Sequence, residues 1–300
     1  MDILSDILEK IRLSSVVYFK SDFSPPWGMD IPKGPFAQFH LVTQGSCLAR
    51  IGGETFPLEA GDVLVFPMGG EHWLADQETS KRENGPKVVR AIMNGKPLFQ
   101  GQAAATTLVC GHFDFDRTVD HPLLKELPEF IHISQDEKKE LSWLQGIADL
   151  VIEEAEKKWE GSQLISNKLG EVLFVHTLRA YFNRGAKSGF VAALQDRRIG
   201  KALREIHNAP EANWQLLSLA RIAGMSRTGF SKRFKDLLGD TPLNYITHWR
   251  MLRARELLIL GSQSVGEIAH AVGYSSEAAF NRVFKKRMAL TPLKFRQSRA

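Results

Sequence analysis

Five side chains in the first 115 residues are of types that bind metals or ligands: His40, Cys47, His72, Cys110 and His112. Strand alternation can turn His40, Cys47, His72 and Cys110 towards one interior, with His112 two residues beyond Cys110 on the same face. Two imidazoles and two thiolates suit tetrahedral Zn(II), which makes those four the candidate metal ligands. The spacing is not that of a zinc finger. A metal-free ligand pocket edged by His40, His72 and His112 is a second expectation, and a purely packed interior a third. Two cysteines are too few for a disulfide framework, although a thiol switch at Cys47 and Cys110 is an open alternative. No Ser/His/Asp or paired-carboxylate arrangement stands in the chain, so the expectation is that it is not an enzyme.

The other chemistry-bearing residues belong to a repeat. "FKDLLGDTPL" (234–243) returns 50 residues later as "FKKRMALTPL" (284–293). Aligned on their phenylalanines, each copy has a short apolar-periodic helix ending at Ala223-Gly224 or Val272-Gly273. A serine follows, Ser226 or Ser275, and then a second helix carrying Phe230 and Phe234, or Phe280 and Phe284, four apart on one face. A glycine suits the tight turn, a serine caps the next helix, and the phenylalanine pair locks it down. That is the pattern of a helix-turn-helix, repeated. "NYITHWRMLRARELLIL" between the copies reads as one long helix that joins them. Held one DNA turn apart, the copies would lie about 34 Å from each other on one face of a duplex. Arg250, Arg253 and Arg255 on this connector are expected either at phosphates or as its solvated surface.

Charge agrees with that placement. Residues 195–300 carry 19 Lys and Arg against 8 Asp and Glu, a net of +11, whereas residues 1–194 carry 20 against 26, a net of −6. A basic segment of this size joined to an acidic one suggests a polyanion-binding module.

The elements expected around the first group are strands. "AQFHLVTQGSCLARIGGETFPLEAGDVLVFP" alternates apolar and polar positions, with turns expected at Gln44-Gly45, Gly52-Gly53 and Ala60-Gly61. Further strands are expected at Lys87–Met93 and Thr106–Phe115, together an antiparallel barrel or sandwich. Helical spacing marks a short amphipathic helix at the amino terminus. Another lies on the stripe Leu141, Leu144, Ile147, Ala148, Val151, Ile152 and Ala155, and a third on "LISNKLGEVLFVHTLRAYF". The last two can pack on the barrel, on each other, or on a second copy of the chain. "NRGAKSG" (183–189) reads as a boundary. "MDILSDILEKIRL" lacks the basic region of a signal peptide, and no apolar run reaches membrane-spanning length, so the expected location is the cytoplasm.

Residues 195–300, through "AGMSRTGFSKRFKDLLGDTPLNYI", "WRMLRARELL" and "IAHAVGYSSEAAFNRVFKKRMALTPLKFR", resemble the DNA-binding domain of AraC/XylS-family transcription regulators. Gly61, Pro67, Gly69 and His72 resemble the second motif of the cupin family, whose histidine points into a barrel. The His-x-His pair of the first motif is missing, and only His40 lies near its place. That absence weighs against a DNA-tethered cupin metalloenzyme.

The resemblance implies an α+β chain in four parts. These are a cupin-like antiparallel β-barrel sensor at 1–125, a helical connector at 126–184 with a role in homodimers, a linker at 185–194, and an all-α domain with two helix-turn-helix units at 195–300. It further implies a bacterial regulator of transcription, more commonly an activator, that responds to a small molecule or metal. Its partners would be double-stranded DNA and RNA polymerase, and no membrane. By family position, Thr228, Ser231 and Lys232 face bases from the first recognition helix, and Ala278, Asn281 and Arg282 from the second. Arg227, Lys285 and Lys286 meet phosphates. Ala289 departs from the family, standing where Gly239 stands in the first copy.

Overall fold

The computed structural model describes residues 2–101, 103–116, 118–134, 142–157, 159–185 and 188–298. Contacts divide the chain into two units. One comprises Arg12–Asp116 and Leu127–Arg184; the other gathers Met1–Ile11, Arg117–Glu126 and Gly185–Ala300.

The first unit is a curled sheet that is almost wholly antiparallel. Its strands are β1 (Ser14–Phe23), β2 (Gly28–Ile31), β3 (Ala37–Ile51), β4 (Glu54–Glu59), β5 (Val63–Phe66), β6 (His72–Ala75), β7 (Glu83–Asn84), β8 (Thr106–Asp114) and β9 (Ile131–Ile133). The backbone order is β1-β8-β3-β6-β2-β7, with β4 and β5 also on β3 and β9 on β5. β3 organises the curl. Its first half pairs with β5 and β8, its second with β4 and β6. The expected turn at Gln44-Gly45 is instead a register shift within this one strand, between Val42 and Gln44. Gly45 has φ +72°, and a Cβ there would meet the Ala105 carbonyl at 1.7 Å, so the sheet bends only because this residue is glycine. Phe23, Trp27, Val42, Leu64, Phe66, Leu74 and Leu108 fill the interior.

Two further differences from the sequence-based expectation fall here. The segment expected as a strand at Lys87–Met93 is helix α2 (Gly85–Met93). Asn84 caps it by accepting from the Lys87 amide, and Pro86 occupies its first turn, signals that outweigh the β-branched Val88-Val89 pair. The two helices expected after the barrel are present, α4 (Ser142–Lys157) and α5 (Ser162–Asn183). Ile147 and Val151 of the expected α4 stripe are buried; Leu141, Leu144, Ala148, Ile152 and Ala155 lie outside the described side chains. α5 packs on β1, where Asn167 Oδ1 accepts from the Val17 amide at 3.2 Å. Gly170 admits Ser15, since a Cβ there would stand 2.2 Å from its hydroxyl.

The second unit is helical: α1 (Ile3–Lys10), α3 (Pro122–Lys125), α6 (Gly189–Gln195), α7 (Ile199–Asn208), α8 (Leu216–Ile222), α9 (Arg227–Leu238), α10 (Pro242–Leu260), α11 (Val265–Ala271), α12 (Glu277–Met288) and α13 (Pro292–Gln297). The linker expected at 185–194 is largely α6. Its Phe190, Val191, Ala192 and Ala193 are buried, because the glycine-rich composition ends at Gly189 and an apolar run begins. The long helix expected between the two copies is α10, 19 residues. Its Tyr245 meets Phe234 at 5.7 Å in the first copy, and its Met251, Ala254 and Leu258 join Phe280, Phe284 and Phe295 in the core of the second.

Two segments from the acidic half also belong to this helical unit. In α1, Ile3, Ile7 and Leu8 are buried. Lys10 reaches Asp6 at 2.6 Å and Glu256 at 3.4 Å, and lies 4.9 Å over the Trp249 ring. Thr118 accepts from Arg255 at 2.7 Å, and the Glu126 carboxylate accepts from the Phe190 amide at 2.6 and 2.7 Å. Arg255 is buried and donates to Thr118, a polar partner of the kind a charge in the core needs, since an unpaired one is costly.

Candidate nucleic-acid interface and barrel cavity

Each helix-turn-helix is built as its sequence requires. Gly224 (φ +62°) and Gly273 (φ +83°) make the turns in the left-handed region. Ser226 caps α9 by accepting from the Gly229 amide at 3.2 Å. In the second copy the cap is Ser276, not Ser275, and it accepts from the Ala279 amide at 3.3 Å. The second copy carries one more residue between glycine and phenylalanine, so the cap is located by counting four back from Phe230 and Phe280. All four helix phenylalanines are fully buried, with ring centroids 5.7 Å apart in α9 and 5.5 Å apart in α12.

Burying Phe at every fourth position turns the next residues outward. Thr228, Lys232, Ala278 and Arg282 are exposed, and Ser231 and Asn281 are half-buried at the edge of the same row. Arg227, Lys285 and Lys286 are exposed around them. Such a row can present donors to base edges in a major groove, flanked by cations for phosphate. Other cations are already engaged. Arg233 pairs with Asp196 at 2.9 Å. Arg250, placed by the sequence at phosphate or solvent, instead donates to the carbonyls of Pro210 (2.7 Å) and Ala212 (2.8 Å), tying α10 to the loop before α8. Arg255 is buried, and only Arg253 is exposed, 3.6 Å from Glu256. Ala289 takes φ +59°, matching the +70° of Gly239, so the second copy keeps the helix ending and bears the strain of a side chain there.

The curled sheet holds a cavity of about 650 Å³ between β1, β2, β3, β8, α2 and the 32–36 loop. Tyr18, Phe19, Met29, Ile31, Phe36 and Val89 give it apolar walls, His40 and Cys110 lie on its floor, and Lys33 and Arg90 stand at its edge. His72 is one hydrogen bond behind the floor. Its Nδ1 is 2.8 Å from the Gly70 carbonyl, its Nε2 is 2.8 Å from His40 Nε2, and His40 Nδ1 is 3.1 Å from Cys110 Sγ.

Carbonyls only accept, and that fixes every proton in this chain. His72 carries its proton on Nδ1 and accepts at Nε2; His40 therefore donates from Nε2 and accepts at Nδ1 from the Cys110 thiol. Burial pushes the His40 pKa well below its usual value, with the neighbouring His72 adding to it, and brings His72 down to about 4. Burial raises Cys47 to about 12, with Asp62 adding to it, and pushes Cys110 higher still. Neutral imidazoles and protonated thiols result. Phe66 stacks on His72 with centroids 3.6 Å apart, completing a packed, uncharged floor.

This geometry does not gather His40, Cys47, His72 and Cys110 as a tetrahedral zinc set. Cys110 and His72 engage opposite nitrogens of His40, and one imidazole presents only one nitrogen to an ion. Cys47 lies seven residues along β3, opposite Leu58 and in the apolar core. Among the described residues no group of three or more His, Cys, Asp or Glu side chains could hold a metal ion. A thiol switch is disfavoured by the same burial, because the reactive species is the thiolate. His112 stands behind the cavity wall, its ring 5.0 Å from Tyr18 and 4.6 Å from Phe36. Sequence pattern alone does not single out Lys33 or Arg90. The helix-start signal Asn84-Gly85-Pro86 could have drawn attention to Arg90, but nothing marks Lys33.

A cavity-bearing curled β-domain in a chain with paired helix-turn-helix units defines the class of transcription regulators that carry a separate N-terminal domain. Residues 2–183 match the cupin family model and residues 219–298 a helix-turn-helix domain model. An uncharacterized HTH-type transcriptional regulator of Haemophilus influenzae is 30% identical over 99% of both chains. A putative AraC-like transcription regulator of Streptomyces lividans is 30% identical over 99% of this chain and 98% of its own. The structure of a transcriptional regulator of the AraC-type DNA-binding domain-containing proteins, from Chromobacterium violaceum, aligns with 36% of this chain and 96% of its own, at 30% identity and a TM-score of 0.34. The chain belongs to the AraC-like transcription regulators that carry an N-terminal cupin domain. It is a DNA-binding regulator, not an enzyme. Among the described residues no helix is long and apolar enough to cross a membrane.

Proposed function

We propose that this regulator reads DNA with both recognition helices of one chain and adjusts that binding to an organic small molecule held in the barrel cavity. The observation that carries the DNA half is the doubled row of outward side chains in a domain of net charge +11, Lys232 and Arg282 occupying the same place two residues after Phe230 and Phe280. Lysine and arginine suit guanine, Asn281 suits adenine, and Thr228 and Ala278 can pack on thymine methyls. Ser231 completes the first row, and Arg227, Lys285 and Lys286 contact phosphates and supply affinity without sequence preference.

For the sensing half, the cavity and its uncharged floor favour an organic ligand over a metal. Residues 12–116 are the binding domain, and the helical region before residue 185 packs on it. A homodimer forms, in this proposal, through apolar side chains left exposed on α4 and α5: Leu150 (48% exposed), Leu164 (65%), Ile165 (45%) and Val172 (42%). Promoter-bound protein then contacts RNA polymerase in the cytoplasm and activates transcription.

The test is a binding series with protein, Lys232→Ala and Arg282→Ala on a selected operator, followed by transcription with purified polymerase. Each variant should relax preference at its own half of the site. Unchanged preference in both would remove these residues from base contact, and lower transcript yield with bound protein would make the regulator a repressor.

A further inference from the structure

The cavity's polar groups restrict the ligand class. On the floor, every N–H and S–H proton of the Gly70–His72–His40–Cys110 chain is donated within the chain. Beyond the floor, the uncharged polar side chains lining the cavity are Tyr18 and Gln38, so a sugar or other polyhydroxylated molecule would bury more hydroxyls than these two can pair, at a cost of about 1–3 kcal/mol for each one left over. A cation finds no carboxylate among the lining residues. Among the described residues the only charged side chains that line the cavity are Lys33 and Arg90, both exposed at the edge, and neither enters an ion pair there. Arg90 is anchored by its Nε, which donates to the Pro86 carbonyl at 3.3 Å.

We infer that the cavity takes an amphiphilic organic anion: an apolar body against Phe19, Met29, Ile31 and Val89, with its acid group between Lys33 and Arg90. Aromatic rings suit the mouth, where Phe36 is 39% exposed and backed by the His112 ring. The volume suits a ligand of ordinary drug size. This rests on the reading of the cavity as a small-molecule site and adds the sign of the ligand's charge.

The experiment uses the full-length protein and the anionic, apolar fluorophore 8-anilinonaphthalene-1-sulfonate, displaced by a matched trio: 4-phenylbutyrate, 4-phenylbutanol and 4-phenylbutylamine. The acid should displace at the lowest concentration, the alcohol at about three- to tenfold more, the range of two exposed ionic contacts, and the amine at more again. Lys33→Gln with Arg90→Gln should bring the acid to the level of the alcohol. Val89→Trp should abolish displacement by all three; Val89→Phe replaces it if circular dichroism shows the tryptophan variant unfolded.

Equal displacement by acid and alcohol, both lost on filling the cavity, would overturn the anion and leave the small-molecule site standing. Preference for the amine, or an acid preference that survives the double glutamine variant, would likewise overturn the anion assignment. No displacement by any of the three, or displacement unaffected by filling, would overturn both.

Discussion

Acid should weaken the barrel through its histidine pair. His72 titrates at about 4 in the folded protein against 6.5 for an ordinary histidine. A depressed histidine is neutral when folded, so below 6.5 the unfolded chain takes up a proton that the native state refuses. Stability is therefore complete above 6.5 and falls as the pH drops towards 4. From these two values, the loss between about pH 7.5 and about pH 5 is about 2 kcal/mol for His72 alone. His40, pushed down in the same direction, adds to it. The assay is urea unfolding across that range followed by tryptophan fluorescence, comparing the protein with His72→Gln. Glutamine keeps an acceptor for His40 Nε2–H and removes the titrating group. The variant should be less stable at about pH 7.5, from loss of the Phe66 stack and the Gly70 hydrogen bond, yet lose about 2 kcal/mol less on acidification. An equal fall in both proteins would refute the reasoning, because a His72 that protonates freely in the folded barrel cannot belong to the neutral chain that shapes the cavity floor.

Other outcomes follow from single contacts. Ala289→Gly, which relieves a side chain held at φ +59°, should stabilise the helical unit by about 1 kcal/mol in thermal or urea unfolding. Phe280→Ala should cost about 3–5 kcal/mol and abolish DNA binding by unfolding the second recognition helix, seen as lost ellipticity. Lys285→Gln should weaken binding evenly across sequences and reduce the slope of log affinity against log salt by about one contact. Cys47 and Cys110 should resist iodoacetamide at neutral pH in native protein and react once urea is added, as counted by mass spectrometry.

The helix-turn-helix pair was legible because it is local. Turn glycine, capping serine, buried phenylalanines and the Thr-Pro start of the following helix all lie within about 30 residues, and helical periodicity resolves them. Even there, one inserted residue moved the cap from Ser275 to Ser276. The barrel was legible as alternating strands, but not its bend, because a register shift inside β3 looks like a turn in sequence. Nor could spacing show that His40 lies between Cys110 and His72: their convergence depends on the curl of the sheet. At α2 the β-branched Val88-Val89 pair reads as strand, but the Asn-Gly-Pro start signal before it decides for helix. The membership of α1 and residues 117–126 in the helical unit had no sequence signal. It arises from tertiary contacts such as Lys10 with Glu256 and Thr118 with Arg255.

The most direct test of the central claim is selection of a randomised DNA library with full-length protein, repeated with Arg282→Ala. Two reading heads in one chain predict a motif of two blocks about 10 base pairs apart, the distance of one helical turn. Arg282→Ala should blur one block and leave the other sharp. A single block, no enriched motif, or equal blurring of both would contradict the claim that α9 and α12 read separate segments of DNA.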